Sequence, residues 1–338
     1  MILKYQTFEL KLKHPFKITR GVRTSNQVVL IEIEHDGLVG YGEASPSPRY
    51  KENVETVKNF LEKVDLSKFN DPLQIEDILN YVDSIEPGNN SAKAGIDIAL
   101  HDLVGKILNI PLYKLFGLSK ERTPITSFTI GIDEPEVIER KVKEAEGYPV
   151  LKVKLGLEND YEIIRTIRKV TDKPIRVDAN EGWKTKEIAL EKIKWLQNEG
   201  VEFVEQPMPA DDLDSIAWVR DRVEIPIIAD ENCVRLWDVP ILGKAYDGIN
   251  IKLMKCTGIR EAIKMINTAR AMNMKVMLGC MIESSVGITA GAQISPLVDF
   301  ADLDGNLLIT NDPFDGVKVK DGKLVLPDEP GLGVKKLI

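Results

Sequence analysis

The fold is decided by five short apolar segments within residues 150–255, which are VLKVKL (150–155), PIRVDAN (174–180), VEFVEQP (201–207), IPIIADEN (225–232) and GINIKLMK (248–255). Each segment carries a charged side chain near its end, and these charged positions follow one another at intervals of 22 to 27 residues. That interval fits a βα unit, and apolar, β-branched segments without strict alternation are typical of strands buried on both faces. The pattern therefore predicts a parallel β/α barrel.

The same spacing extends the barrel in both directions. Residues 125–130 precede the five segments as a first strand, residues 275–278 follow them as a seventh, and residues 298–301 form an eighth. No regular helix is predicted after the eighth strand, because Asn, Asp, Pro and Gly dominate the residues that follow. We therefore predict an α/β fold, a (β/α)7β modified TIM barrel, over residues 123–310.

Residues 1–122 do not follow the barrel spacing. Residues 2–12 and 27–34 alternate as strands, and His35-Asp36-Gly37 turns the second of them into residues 38–41. Residues 14–24 and 42–50 are predicted to be long loops that cover the barrel rim, and helices follow. This predicts an N-terminal α+β capping domain, to which the tail at residues 311–338 returns.

Composition narrows the class of protein. The 338 residues carry a net charge of −8 with scattered lysines, which argues against a nucleic-acid partner, and no apolar run reaches the length of a membrane span. Three cysteines without paired spacing indicate a reduced, cytoplasmic protein. We expect a homo-oligomer that acts on a small molecule and binds neither nucleic acid nor membrane.

Three carboxylates end successive predicted strands: Asp178, Glu205 and Asp230. Neighbouring strands lie about 5 Å apart, so these groups would repel one another strongly unless a cation lies among them. A set of oxygen ligands without His or Cys favours Mg2+, with Mn2+ as the second choice. The alternative is that each acid caps the helix after its strand.

Two lysines, Lys154 and Lys252, end the second and sixth predicted strands and therefore face each other across the barrel. A metal ion and the neighbouring Lys152 would lower the pKa of Lys154, and the ion would stabilise the enediolate formed when a bound carboxylic acid loses its α-proton. A lysine on each side predicts 1,1-proton transfer, which is racemisation or epimerisation. The alternative is an ordinary ion-pairing role for each lysine.

Asp302 and Asp304 lie two residues apart after the eighth strand, so both can face the same pocket. Paired carboxylates suit a substrate ammonium group, and their distance from the metal favours a dipeptide over a single amino acid. The alternative is a turn or helix cap. Arg20, Arg23 and Arg49 in the loops of the first domain are candidates for an acidic substrate side chain, or else solvated surface arginines.

Taken together, several motifs resemble the muconate-lactonising subgroup of the enolase superfamily. They are LKVK (151–154), VDAN (177–180), VEQP (204–207), ADE (229–231) and NIKL (250–253). Two more, GCMIE (279–283) and DLDG (302–305), resemble the dipeptide epimerases of the L-Ala-D/L-Glu type. The resemblance covers nearly the whole chain.

The resemblance implies a Mg2+-dependent epimerase that acts on the C-terminal residue of a dipeptide. It implies that Asp178, Glu205 and Asp230 bind the metal and that Lys154 and Lys252 form the acid/base pair. The implied substrate-binding residues are Thr129, Lys152, Asn180, Cys280, Met281, Ile282, Asp302, Asp304 and Arg23. Arg20 and Arg23 lie on either side of the position expected for an arginine that binds the glutamate side chain. Two alternatives stay open: an o-succinylbenzoate synthase or muconate cycloisomerase on the same scaffold, and a barrel that binds carboxylates without catalysis.

Overall fold

The computed structural model describes residues 1–18 and 21–337, and only the backbone at 16–18. The chain begins with an antiparallel sheet of three strands in sequence order, β1 (Ile2–Ile18), β2 (Gly21–His35) and β3 (Leu38–Ala44). Four helices follow: α1 (Val54–Leu61), α2 (Ile75–Ser84), α3 (Asn90–Ile107) and α4 (Leu112–Leu115). Alternate residues of β2, such as Ile31 and Ile33, pack on the apolar face of α3 and form a separate core.

The prediction of a loop over residues 14–24 is wrong. Strand β1 continues to Ile18, and its end pairs with the start of β2, with Phe16 opposite Arg23 and Ile18 opposite Gly21. Four residues of β1, 12–15, lie opposite the single residue 24, so the ladder is bulged there. The polar residues suggested a loop, but β-branched and aromatic residues at alternate positions favour extended strands. The candidate Arg20 lies outside the described residues.

The second sheet has eight parallel strands in sequence order, as predicted for a (β/α)7β barrel. They are β4 (Phe128–Ile130), β5 (Leu151–Lys154), β6 (Ile175–Asp178), β7 (Val201–Glu205), β8 (Ile227–Ala229), β9 (Gly248–Lys252), β10 (Lys275–Gly279) and β11 (Phe300–Asp302). The intervening helices are α5 (Pro135–Glu144), α6 (Asp160–Val170), α7 (Lys186–Asn198), α8 (Leu213–Arg220), α9 (Val239–Leu242), α10 (Leu253–Cys256), α11 (Ile259–Ala271) and α12 (Ser285–Ile294). A parallel bridge between Thr126, two residues before β4, and Ala301 in β11 brings the first and last strands together. This confirms the predicted fold class.

The first and the eighth barrel strands begin later than predicted. The first strand begins at Phe128 rather than at residue 125, because Ile125 and Thr126 form isolated bridges to the tail and to the eighth strand. The eighth strand is Phe300–Asp302 rather than 298–301. Only a 3-10 turn, Gly305–Leu308, follows it.

The tail contains β12 (Phe314–Asp315), β13 (Lys318–Lys320), β14 (Lys323–Val325) and β15 (Lys335–Lys336). It contacts the N-terminal domain: the backbone N of Leu332 donates to Asp102 at 2.7 Å, and Lys336 pairs with Glu32 at 2.8 Å. The predicted domain limits, 1–122, 123–310 and 311–338, stay a prediction. Within 1–18 and 21–337, no helix has the length and apolarity needed to cross a bilayer. The expected cytoplasmic location and homo-oligomer also stay predictions.

A carboxylate of the N-terminal domain caps a helix of the barrel. Glu43, near the end of β3, is fully buried and accepts hydrogen bonds from the backbone N of Ser284 at 2.9 Å and of Gly287 at 3.1 Å. These are among the N–H groups at the start of α12 that have no partner within the helix. Burial raises the pKa of Glu43 to about 7, although the bonds from Ser284 and Gly287 oppose the rise.

We expect Glu43→Gln to flatten part of the pH dependence of stability. The pKa of Glu43 rises on folding from its ordinary 4.5 to about 7. The contribution of this pKa shift to the free energy of unfolding is therefore complete below about pH 4.5. It is lost as the pH rises towards 7, by roughly 3 kcal/mol at most. The variant keeps an oxygen acceptor and should not show this loss. Urea unfolding at pH 5 and pH 7.5 gives the free energy of unfolding at each pH. The same change in this free energy between the two pH values in the parent and the variant would contradict the assignment.

Candidate active site

The three predicted metal ligands meet at the carboxyl ends of neighbouring strands. Asp178 ends β6, Glu205 ends β7, and Asp230 follows β8 directly, and all three are buried. One carboxylate oxygen from each lies within 4.8 Å of the others. The alternative that each acid caps the next helix does not hold, since Thr185 caps α7 and Asp212 caps α8.

Each of these carboxylates has one oxygen held by a donor that belongs to the protein framework. The anchoring bonds are Asn180 N to Asp178 Oδ1 (2.9 Å), Asn250 Nδ2 to Glu205 Oε1 (2.7 Å) and Lys255 Nζ to Asp230 Oδ1 (2.6 Å). The second oxygens face the lysines of the cavity. These contacts are Lys154 Nζ to Asp178 Oδ2 (2.6 Å), Lys152 Nζ to Glu205 Oε2 (2.7 Å) and Lys252 Nζ to Asp230 Oδ2 (2.8 Å). The cluster is therefore ordered so that one oxygen of each acid points inward.

The inward-facing oxygens fit a hard divalent cation. Glu205 Oε2 is buried and has no partner with hydrogen-bond geometry among the described residues, so its contact with Lys152 is electrostatic only. Burial and the charge of Asp178 raise the pKa of Glu205 to about 8. For Asp178, burial is outweighed by Lys154 and Lys152, which lower its pKa to about 2. A cation bonded to all three acids would stabilise the ionised form of Glu205.

Lys154 and Lys252 end the second and the sixth strand of the eight, so they lie on opposite sides of the ring, as predicted. The protein groups around Lys252 raise the pKa of its ammonium group. Burial acts to lower the pKa of Lys252, but Asp230 and Glu205 outweigh it and raise the pKa. A neutral Lys252 therefore needs the positive charge of a bound cation nearby.

A cavity of about 460 Å3 is lined by all the predicted site residues that the structure describes, apart from the three carboxylates of the cluster. Its lining includes Thr129, Lys152, Lys154, Asn180, Lys252, Cys280, Met281, Ile282, Asp302 and Asp304 from the barrel side, and Arg23, Asn26, Ser45 and Arg49 from the N-terminal domain. The roles assigned to these residues stay predictions. Their convergence on one cavity shows that both domains build the site.

The two aspartates after β11 have different surroundings. Asp302 accepts from Lys152 Nζ and from Ser127 Oγ, both at 2.7 Å. Asp304 accepts from the backbone N of Thr129 at 2.8 Å, and burial together with the charge of Asp302 raises its pKa to about 7. The pairing of Asp302 with Lys152 was not predicted. Because of it, the charge of Asp304 is less well neutralised by protein lysines than the charge of Asp302.

Of the three candidate arginines, Arg49 already has a protein partner. Its guanidinium donates twice to Glu181, from Nε at 3.2 Å and from Nη2 at 2.9 Å, which ties the loop after β3 to the loop after β6. Arg23 is exposed at the start of β2 and lines the cavity. Within the described part of the chain, Arg23 is therefore the better candidate to meet an acidic substrate side chain.

Sequence reasoning missed two kinds of residue. Asn250 lies two positions before Lys252 on the same strand face, and Lys255 lies one helical turn after it, so spacing alone could have suggested both. Asn26 and Ser45 donate to the carbonyl oxygen of Ile282 at 2.8 and 3.0 Å. No local pattern could have shown these two contacts, because they cross between domains.

Comparison with known proteins agrees with the fold. The chain matches the family models "Mandelate racemase / muconate lactonizing enzyme, N-terminal domain" over residues 3–117 and "Enolase C-terminal domain-like" over residues 137–336. It is 56% identical over 338 residues to the L-Ala-D/L-Glu epimerase of Bacteroides thetaiotaomicron, covering 100% of this chain and 88% of that protein.

Two solved structures are also similar. The dipeptide epimerase from Enterococcus faecalis, complexed with Mg and L-Leu-L-Tyr, has a TM-score of 0.90, 36% identity and 98% coverage of both chains. The dipeptide epimerase from Cytophaga hutchinsonii, complexed with Mg and D-Ala-L-Val, has a TM-score of 0.93 and 32% identity, covering 99% of this chain and 95% of that one. All three relatives are epimerases, a class of isomerase. This chain therefore belongs to the mandelate racemase/muconate lactonizing enzyme family of the enolase superfamily.

Proposed function

We propose that the protein is a Mg2+-dependent dipeptide epimerase that inverts the α-carbon of the C-terminal residue, with L-Ala-D/L-Glu as its substrate. The observation that carries the proposal is the placement of Lys154 and Lys252 on opposite sides of the buried carboxylate cluster, in one cavity with Asp302 and Asp304. The names of the similar proteins support the reaction class.

In this reaction Asp178, Glu205 and Asp230 would hold Mg2+. When bound, the ion would acidify the α-proton of the substrate carboxylate and stabilise the negative charge that follows proton loss. One lysine of the pair, in its neutral form, takes the proton from one face of the α-carbon. The other, in its charged form, gives a proton to the opposite face, and the configuration inverts. The buried surroundings of both lysines keep bulk water from quenching the carbanion.

The ammonium end of the dipeptide is assigned to Asp304 and Asp302. Asp304→Asn tests this assignment, since Asn keeps an oxygen for Thr129 N and leaves the Asp302–Lys152 pair intact. We expect kcat/KM for dipeptides to fall about 10- to 100-fold, mainly through KM, because a charge-assisted bond is lost.

An N-acetylated dipeptide, which has no ammonium, is the control substrate for Asp304→Asn. The variant should discriminate less than the parent between the free and the acetylated dipeptide. If the variant processes free dipeptides as well as the parent does, the assignment of the ammonium group to Asp304 is wrong.

For the side chain of the C-terminal residue, Arg23 at the cavity wall supports glutamate. The Bacteroides thetaiotaomicron relative, named for Glu, agrees with this choice, whereas the two similar structures hold dipeptides that end in Tyr and Val. A dipeptide library in D2O with Mg2+, read by mass spectrometry, tests the proposal. Fastest deuterium uptake by L-Ala-L-Glu is expected. Uptake by no dipeptide would refute the epimerase, and a clear preference for apolar C-terminal residues would refute the choice of glutamate.

A further inference from the structure

Lys255 is the third buried lysine at the carboxylate cluster, and it belongs to neither the acid/base pair nor the cavity lining. Its side chain is fully buried in α10. The ammonium donates to Asp230 Oδ1 at 2.6 Å, to the backbone oxygen of Asp230 at 2.5 Å and to the backbone oxygen of Asn250 at 3.2 Å. It therefore fixes both the main chain and the side chain of Asp230.

Asn250 acts in the same way on Glu205. Its Nδ2 donates to Glu205 Oε1 at 2.7 Å from inside the barrel. The neighbouring strand makes room for this amide, because a Cβ at Gly279 would lie 2.6 Å from Asn250 Oδ1. The amide is thus packed against backbone and cannot swing away from the carboxylate without a shift of β10.

Building on the proposed function, we infer that Lys255 and Asn250 are positioning residues that leave Asp230 and Glu205 with a single ligand oxygen each, and thereby make the site selective for Mg2+ over Ca2+. Mg2+ requires near-octahedral coordination at about 2.0–2.1 Å and is served by one oxygen per carboxylate. Ca2+ takes about 6–8 oxygens at longer distances and gains from carboxylates that bind through both oxygens. A carboxylate oxygen that already accepts a hydrogen bond from an ammonium or amide group is not free to help bind Ca2+ through both oxygens.

The test is calorimetric titration of Mg2+ and, separately, of Ca2+ into the full-length protein after removal of metal with EDTA. In Lys255→Met we expect the Kd for Mg2+ to rise about 10- to 100-fold, the usual effect of losing a residue that orients a ligand. The Kd for Ca2+ should change less than about 3-fold, because the freed oxygen of Asp230 can now bind the larger ion. The ratio of the Kd for Ca2+ to the Kd for Mg2+ should therefore fall by at least about 3-fold.

Lys93→Met is the matched control. Lys93 is also a buried lysine that donates to a carboxylate, Asp83, at 3.0 Å, but neither residue belongs to the candidate site. This variant removes the same charge and should leave both Kd values unchanged. If Lys255→Met does not fold, Asn250→Ala provides the same measurement on Glu205.

The outcomes separate the inference from the proposed function. Equal weakening of both metals in Lys255→Met or Asn250→Ala would overturn the inference, because it would show only a loss of structure. A parent protein that does not bind Mg2+ would overturn both. A parent that is selective for Mg2+, loses that selectivity in the variants and exchanges no dipeptide proton would support the inference and refute the epimerase.

Discussion

Lys252→Ala is expected to lower the rate of epimerisation at least about 1,000-fold and to leave exchange of the α-proton in only one of the two substrate isomers. A positioned acid or base contributes about 10²- to 10⁴-fold, and inversion requires both members of the pair. The remaining Lys154 can still remove the proton from the isomer that presents it to β5 and return a deuteron to the same face. NMR in D2O, started separately from L-Ala-L-Glu and L-Ala-D-Glu, measures both quantities.

Lys154→Ala is the companion experiment and should show the opposite isomer preference. The two lysines lie on the second and sixth of eight strands, so each reaches a different face of a substrate in the cavity. Lys93→Met serves again as a control for loss of a buried lysine and should epimerise at the parent rate. If both active-site variants lose exchange in the same isomer, the two amines act from one side, and the proposed mechanism is wrong.

Glu205→Gln is expected to produce the second largest effect, a loss of activity of at least about 1,000-fold at 1 mM Mg2+. The change removes one anionic ligand while keeping the shape of the side chain, and Gln can still accept the bond from Asn250. Loss of a charged ligand should shift the Mg2+ dependence to higher concentrations, so that part of the activity returns at high Mg2+. Activity measured as a function of Mg2+ concentration, with EDTA-treated parent protein as the reference, tests this.

The control for Glu205→Gln is its thermal unfolding, which should stay within a few degrees of the parent, because the buried group loses charge but not volume. A parent enzyme that retains full activity in excess EDTA would show that the three carboxylates serve another purpose, such as holding the lysines in place.

The barrel and the residues at its rim were predictable because the signals are local. Each βα unit carries its own strand, and a residue at the end of a parallel strand reaches the rim whatever the rest of the chain does. Asp178, Glu205, Asp230, Lys154 and Lys252 were placed correctly at the strand ends for this reason. The eight-stranded order itself also followed from spacing alone.

The contacts that the sequence did not reveal join residues far apart in the chain. The Arg49–Glu181 pair spans 132 residues and the Lys152–Asp302 bond spans 150. Neither is encoded by a periodicity, since each depends on how the domains meet and how the barrel closes. The pairing of residues 16–18 with residues 21–23 was mistaken for a loop because the polar residues of this segment hid a ladder that depends on a bulge.

The return of the tail has a consequence for biosynthesis. Asp102, buried in α3, receives bonds from Tyr41 N, Lys106 and Leu332 N, and the last of these donors is synthesised after the entire barrel. While the ribosome is still making the barrel, the first domain to emerge therefore has an incomplete surface around Tyr41 and Asp102. The bond from Leu332 to Asp102 can form only after residue 332 has been translated. A nascent chain stalled near residue 310 should therefore be a good substrate for chaperones and proteases.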